Sequence, residues 1–432
     1  MAKQKKQKTH LIITSSGGGG LIQAAIAKEQ ELKAEDPGAK IIVKDVMQEW
    51  VWRGIGLFGV FAYNWTQKRG RIFLQTLLVN CQRAAEVLFL PRIYFKLRKI
   101  LQEESVDRII DTQPLGTKVM IKALRHFHKK SGKKIILEKI AVDLPTPSCQ
   151  HFFRGVKSLS AQDREYLSFI TIEPLLEKGE SVADFWKKHC DLKPSEVVYE
   201  KYPIRQSFKK LMKQPPSFLV KELTIRSESK KESTHQRKIF TRGSIAFSVA
   251  PSGHVFSIAP NDWVMVILLG SNPAENAAFR YIAETIRVAQ KRDLSKKIHL
   301  FVFCGKYEGT LFQEVCHFLE GVKEYPKNVS VIPMSFQTDE AIAPLFHRSN
   351  ISITKSGGHT AMELLAVSRN HMWIHSEAKK EGGSSWTTQE LLGGIASWEA
   401  GNALYLKEKA KAEIVTPERF APLFEKLLAE AP

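Results

Sequence analysis

Four consecutive glycines, Gly17, Gly18, Gly19 and Gly20, follow the short apolar run Leu11-Ile12-Ile13-Thr14 and precede an amphipathic stretch over residues 21–34. Strand, glycine turn and helix in that order open a doubly wound α/β domain, in which crossover helices join parallel strands. Glycine lets the backbone approach a ligand closely. A helix N-terminus just behind it offers free N–H groups and the positive end of a dipole to an anion. A dinucleotide fingerprint would need a glycine where Ile22 stands, but Asp45 lies beyond the second strand, so a nicotinamide site stays open. No Gly-Lys-Ser/Thr follows, which excludes a P-loop. A purely structural tight turn is the other reading.

The pattern recurs along the chain. Residues 40–43, 106–110 and 134–137 read as strands, with a helix over 117–130. A second series follows: strands over 263–270, 299–303, 329–332 and 351–354, with helices over 276–291 and 360–367. At 432 residues the chain can bury more than one core. The expected organisation is a basic arm over 1–9, a Rossmann-like half over 10–215, a polar linker or surface excursion over 216–260, and a second Rossmann-like half over 261–432. The net charge of +19 favours anionic partners without choosing among phosphate ligands, acidic lipid and nucleic acid. Five cysteines without a C-x-x-C pair fit a reducing cytosol better than a disulfide framework. No run of eighteen uninterrupted apolar residues occurs, so no spanning helix is expected.

A second strand-to-helix turn reads Ile353-Thr354-Lys355-Ser356-Gly357-Gly358-His359-Thr360. Thr360 is a candidate cap for a helix starting at Ala361, and Lys355 stands where it would meet a diphosphate. Open parallel sheets bind ligands at the carboxyl ends of their strands. One cleft flanked by both turns is therefore the expected site.

With Ala361-Met362-Glu363, this turn is similar to the I-T-K-A-G-P-G-T-I-A-E segment of the galactolipid branch of glycosyltransferase family 28, the MurG and monogalactosyldiacylglycerol synthase group. Further segments match in order. Ser16-Gly17-Gly18-Gly19 resembles the family glycine loop and Ala141-Val142-Asp143-Leu144 its V-T-D-L. Tyr202-Pro203-Ile204-Arg205-Gln206-Ser207-Phe208 resembles G-[LI]-P-[VI]-R-x-x-F. Phe303-Cys304-Gly305-Lys306 resembles V-C-G-[RK], and Trp398-Glu399-Ala400-Gly401-Asn402 resembles Q-E-x-G-N. The resemblance implies a GT-B fold, two doubly wound domains facing a central cleft, that binds a nucleotide-sugar donor. It places Glu363 at the ribose hydroxyls and Ser356, Gly357, Gly358, His359 and Thr360 at the diphosphate. Gly17, Gly18 and Gly19 fall on the donor cleft, Gly305 near the base, and Glu399 and Asn402 at the sugar hydroxyls. A solvated first-turn glutamate is the plainer reading of Glu363, and likewise of Glu399, whose neighbouring family glutamine is Trp398 here.

The sequence departs from the family at one telling place. The glycine loop ends in histidine there, a candidate general base, and in Gly20 here. Asp143 is the first alternative base and His151 the second. His359, which replaces a glycine, is a third, with offsetting charge on the leaving group as its other reading. A non-catalytic nucleotide-sugar or lipid-binding protein on the same fold is the alternative that Gly20 keeps open, and a nucleotide-sugar epimerase is another. No D-x-D pair occurs, so no metal and no cofactor is expected.

Between Trp50 and Ile100 lie nine Lys or Arg residues, one acid (Glu86) and ten aromatics. That mixture suits an anionic membrane surface, although core helices with basic outer faces would also produce it. Basic residues among aromatics also suit single-stranded nucleic acid, but no nucleic-acid module is resembled and such a partner is not expected. The expected activity is a metal-independent, inverting transfer of a hexosyl group from a UDP-sugar to a lipid or membrane-associated hydroxyl. The expected location is cytoplasmic, peripheral on the inner membrane face.

Overall fold

The computed structural model describes residues 7–214, 222–291, 296–368, 370–380 and 385–430. The lysines at positions 3, 5 and 6 of the expected arm and the pair Pro215-Pro216 lie outside them. In the first half, β1 (Thr9–Thr14), β2 (Lys40–Asp45), β3 (Arg108–Asp111), β4 (Leu137–Ile140), β5 (Leu167–Ile170) and β6 (Val197–Val198) form one parallel sheet in the order β2-β1-β3-β4-β5-β6. Every residue of β1 is buried, as helices on both faces require. Strand β4 begins at Leu137 rather than at residue 134. Its interior holds Lys139, fully buried and paired with Asp111 at 2.6 Å, a charge that apolar periodicity excludes from a strand.

The region over 216–260 is more than a linker. Its described part carries β7 (Glu222–Arg226), β8 (Ala246–Ala250) and β9 (Gly253–Ser257), antiparallel in the order β7-β9-β8. The helix Lys230–Phe240 links β7 to β8. Buried Gln236 donates to the Pro333 carbonyl at 3.1 Å and Glu232 accepts from Ser335 N at 3.3 Å, so this unit is fastened to the second half. There β10 (Trp263–Leu268), β11 (Ile298–Phe303), β12 (Val329–Met334), β13 (Ile351–Thr354), β14 (His371–His375) and β15 (Glu413–Val415) run parallel in the order β12-β11-β10-β13-β14-β15. The chain crosses between the halves just before the helix Gln206–Leu211, which already packs on the helices Asp339–Arg348 and Gly358–Val367.

Between β2 and β3 a helical hairpin, Arg53–Lys68 and Ile72–Glu103, stands on the first half. Its inner face buries Phe89, Ile93, Leu97 and Leu101 against Met120 and Leu124. Its outer face leaves Phe58, Phe61 and Phe73 exposed at 69%, 68% and 78%. The basic segment is thus apolar outside as well as inside, which core packing alone does not require. No described helix is long and apolar enough to cross a membrane.

Candidate functional site

Each sheet reverses its strand order once, between β1 and β3 in the first and between β10 and β13 in the second. Such switch points leave a crevice at the carboxyl ends of the strands. Both open on one cleft of about 660 Å³. Residues 17–20 after β1, Gln113 after β3, Gly270 and Ser271 after β10, and Lys355, Gly357 and Gly358 after β13 all line it. Two helices begin here, Gly19–Glu35 and Gly358–Val367, and neither N-cap glycine supplies a side-chain hydrogen bond. Thr360 does not cap the second, because that helix starts two residues earlier and takes Thr360 into its first turn. Uncapped first-turn N–H groups at two dipole ends are what an anion binds. The halves meet at glycines: a Cβ on Gly358 would overlap the Val142 carbonyl oxygen, and one on Gly401 would overlap Thr146 Oγ1.

Asp143, at the end of β4, joins the cleft to a polar network. Its Oδ2 lies 2.7 Å from His151 Nε2, and its Oδ1 accepts from Asn402 Nδ2 at 2.8 Å. Asp143 and His151 both line the cleft, while His151 Nδ1 is itself buried and makes no hydrogen bond among the described residues. With Nε2 donating to the carboxylate, Nδ1 is left as a proton acceptor. Asn402 does not face the cleft. It is fully buried, donates also to the Ser356 carbonyl at 2.8 Å and accepts from Leu144 N at 2.7 Å. The expected sugar contact is therefore corrected: Asn402 spans the halves, and its amide is already used.

Glu363 departs from its expected place in the same way. It is 2% exposed and does not line the cleft. Arg205 holds it bidentately, with Nε to Oε1 and Nη2 to Oε2 both at 2.6 Å, and His359 Nε2 lies 3.0 Å from Oε1. Burial pushes its pKa up, but His359 and Arg205 outweigh burial and hold it at about 2. His359 is buried and turned to Glu363, away from a leaving group in the cleft. Its Cβ lies 3.8 Å from where a Cβ on Gly20 would stand, so it packs against that glycine. The Ser356 side chain is buried off the cleft too. Gly17, Gly18, Gly19, Gly305, Gly357, Gly358, Thr360 and Glu399 line the cleft.

The architecture is GT-B. No protein-family model and no curated protein matches the chain. Among solved structures, MurG of Acinetobacter baumannii is similar at 12% identity with a TM-score of 0.47, covering 98% of this chain and 92% of that one. The spinosyn rhamnosyltransferase SpnG, complexed with thymidine diphosphate, is similar at 9% identity and a TM-score of 0.47, with the same coverage. A UDP-GlcNAc 2-epimerase of Methanocaldococcus jannaschii is similar at 11% identity and a TM-score of 0.43, covering 98% of this chain and 94% of that one. Likenesses this distant leave the family unassigned, and the strand order and facing switch points carry the fold.

Four more polar groups meet at the GT-B cleft. Arg205 lines it while gripping Glu363. Lys355 lines it at the β13 turn, donating to the Gln67 carbonyl at 3.3 Å, and burial lowers its pKa. Tyr63 of the hairpin also lines it, and burial raises its pKa. Glu399, read as a sugar ligand, is pushed up to about 7 by burial, with Asp143 adding to the rise and Lys355 opposing it. Lys355 and Glu399 had signals in the sequence, in the second glycine turn and the Trp398–Asn402 segment; Arg205 stood in a matched segment without a role, and Tyr63 had no signal.

Proposed function

We propose that this protein is a glycosyltransferase that takes a UDP-linked hexose as donor and a lipid or membrane-associated hydroxyl as acceptor, within or beside glycosyltransferase family 28. The observation that carries this reading is the convergence of two uncapped helix N-termini on the cleft that contains the Asp143–His151 pair. The helix ends and Lys355 hold the diphosphate and stabilise its departure. The Asp143–His151 pair takes the proton of the acceptor hydroxyl as the oxygen attacks the anomeric carbon. A base acting opposite the leaving group gives inversion. The ordered motif matches from the glycine loop to Trp398-Glu399-Ala400-Gly401-Asn402 support the family.

The lipid acceptor is supported by the hairpin, which supplies Ile55, Phe58, Val60, Leu78 and Phe89 to the cleft wall and Phe58, Phe61 and Phe73 to the outer surface. With a net charge of +19, that surface suits an anionic membrane on the cytoplasmic side. The test uses radiolabelled UDP-glucose, UDP-galactose and UDP-N-acetylglucosamine with phosphatidylglycerol vesicles containing diacylglycerol. Label is expected in the lipid fraction. The variant Phe58→Ser/Phe61→Ser/Phe73→Ser is expected to lose vesicle co-sedimentation and lipid labelling but to keep donor binding. Donor binding without transfer to any lipid would favour the non-catalytic reading that Gly20 keeps open.

A further inference from the structure

The three-stranded unit β7-β9-β8 has two edge strands, β7 and β8. The Gln337 side chain closes the β7 edge. Arg226 N donates to its Oε1 at 2.7 Å, and its Nε2 donates to the Arg226 carbonyl at 2.8 Å. That contact also fixes which groups face outward at the other edge. Hydrogen-bonded and non-hydrogen-bonded pairs alternate along an antiparallel ladder, and a central strand serves its two neighbours by turns. Arg226 turns its N–H and C=O away from β9. Its register partner Gly253 therefore turns its own toward β8, where it pairs with Ala250. Counting back along β8 by the same alternation, Phe247 and Val249 point N–H and C=O out of the sheet. No backbone hydrogen bond joins them to another element among the described residues. Sheets ordinarily guard such an edge with charge, proline or a bulge. β8 reads Ala-Phe-Ser-Val-Ala and runs in unbroken register with β9, so it has none of these. Val249 lies on the face that buries His254 and Phe256, yet it is 57% exposed.

We propose that β8 pairs with β8 of a second copy of this chain, antiparallel about a two-fold axis at Ser248, so that two three-stranded sheets become one. The strand is complementary to itself. In that register Phe247 of each copy exchanges N–H and C=O bonds with Val249 of the other, and the Phe247 ring covers the exposed Val249 side chain. Ser248 meets its own counterpart as a non-hydrogen-bonded pair, the closer kind. Charge favours the same partner. Residues Gly243 to Asn261 include no Asp, Glu, Lys or Arg, in a chain with a net charge of +19. So large a charge keeps copies apart in general, but the β8 edge adds nothing to that repulsion. The contact is isologous and closes at two copies. Gln337, by occupying the β7 edge, stops the joined sheet from growing further.

The test is sedimentation equilibrium of the full chain over a concentration series, with amide hydrogen exchange read at Phe247 and Val249. The expected result is a rise to twice the monomer mass, with protection of both amides rising alongside. Val249→Lys sets a charge from each copy at the pairing and is expected to leave a folded monomer, because Val249 is largely exposed and its N–H does not serve the ladder to β9. Ser248→Cys is made in a Cys81→Ser background, which removes an exposed native thiol. It is expected to give a disulfide-linked dimer on mild oxidation, because the Cα atoms of a non-hydrogen-bonded pair stand about 4.5 Å apart, within disulfide reach. A monomer at every concentration with both amides exchanging freely overturns the proposal. A monomer with both amides protected also overturns it, since another segment of the same chain then covers the edge. So does a dimer that persists in Val249→Lys while Ser248→Cys forms no cross-link, which puts the interface on another face.

Discussion

Replacing Asp143 by Asn is expected to lower transfer about 10³–10⁴-fold while donor affinity stays near wild type. The loss follows from which atoms are free to rearrange. Asn402 is locked, because its Oδ1 accepts from Leu144 N and its Nδ2 donates to the Ser356 carbonyl. Asn402 therefore still presents an N–H to residue 143, and the new amide turns its oxygen toward it. Its NH₂ group then faces His151 Nε2, which lies 2.7 Å from Oδ2 in wild type. That contact is satisfied only if Nε2 accepts, which moves the ring proton to Nδ1 and reverses the tautomer that the carboxylate holds. The carboxylate that would stabilise the imidazolium is lost as well. His151→Ala should show a similar loss, and the double variant should be little worse than either single one, because the two residues act as a unit. Initial rates in the lipid-transfer assay, with calorimetry for the donor, check this; near-normal turnover in Asp143→Asn would remove the pair from the chemistry.

Arg205→Ala is expected to cost about 3–5 kcal/mol of unfolding free energy, read by denaturant titration. It leaves Glu363 buried with only His359 for a partner, where wild type adds two 2.6 Å bonds from the guanidinium. The dependence on pH has a definite sign. In wild type Glu363 titrates at about 2, below its ordinary value of 4.5. Its contribution is fully present above about 4.5 and is lost as pH falls toward 2. In the variant the lowering by Arg205 is lost and the carboxyl pKa rises, with His359 alone opposing burial. The deficit is therefore largest at neutral pH and shrinks in acid. Arg205→Met/Glu363→Leu, which removes both charges, should be more stable than Arg205→Ala. Equal losses at pH 7 and pH 3 would mean that packing, not the ion pair, joins the halves here.

How much of this could be read from the sequence follows from the range over which each signal acts. The two glycine turns, both strand series and the cleft between them were legible, because strand, turn and helix succeed one another within about twenty residues. Strand β4 was displaced because Lys139 looked like a surface charge, and its partner Asp111 lies 28 residues away. The three-stranded unit was missed although Leu223 and Ile225 alternate inward in β7, since the Lys- and Ser-rich surroundings hid that short period. The side chains misplaced most are those with distant partners. Glu363 meets Arg205 across 158 residues, and Asn402 meets Asp143 across 259. A motif match gives such residues a position along the chain, but burial and donor geometry decide whether they face a ligand or each other.

The central claim is that the cleft between the two sheets takes a nucleotide-sugar. Calorimetric titration of the full chain with UDP, UDP-glucose, UDP-galactose and UDP-N-acetylglucosamine tests it most directly. The predicted result is saturable binding, with one sugar nucleotide preferred over UDP and the affinity reduced by Lys355→Ala. Absence of binding to all four would contradict the account, leaving the GT-B fold in place and the UDP-sugar function without support.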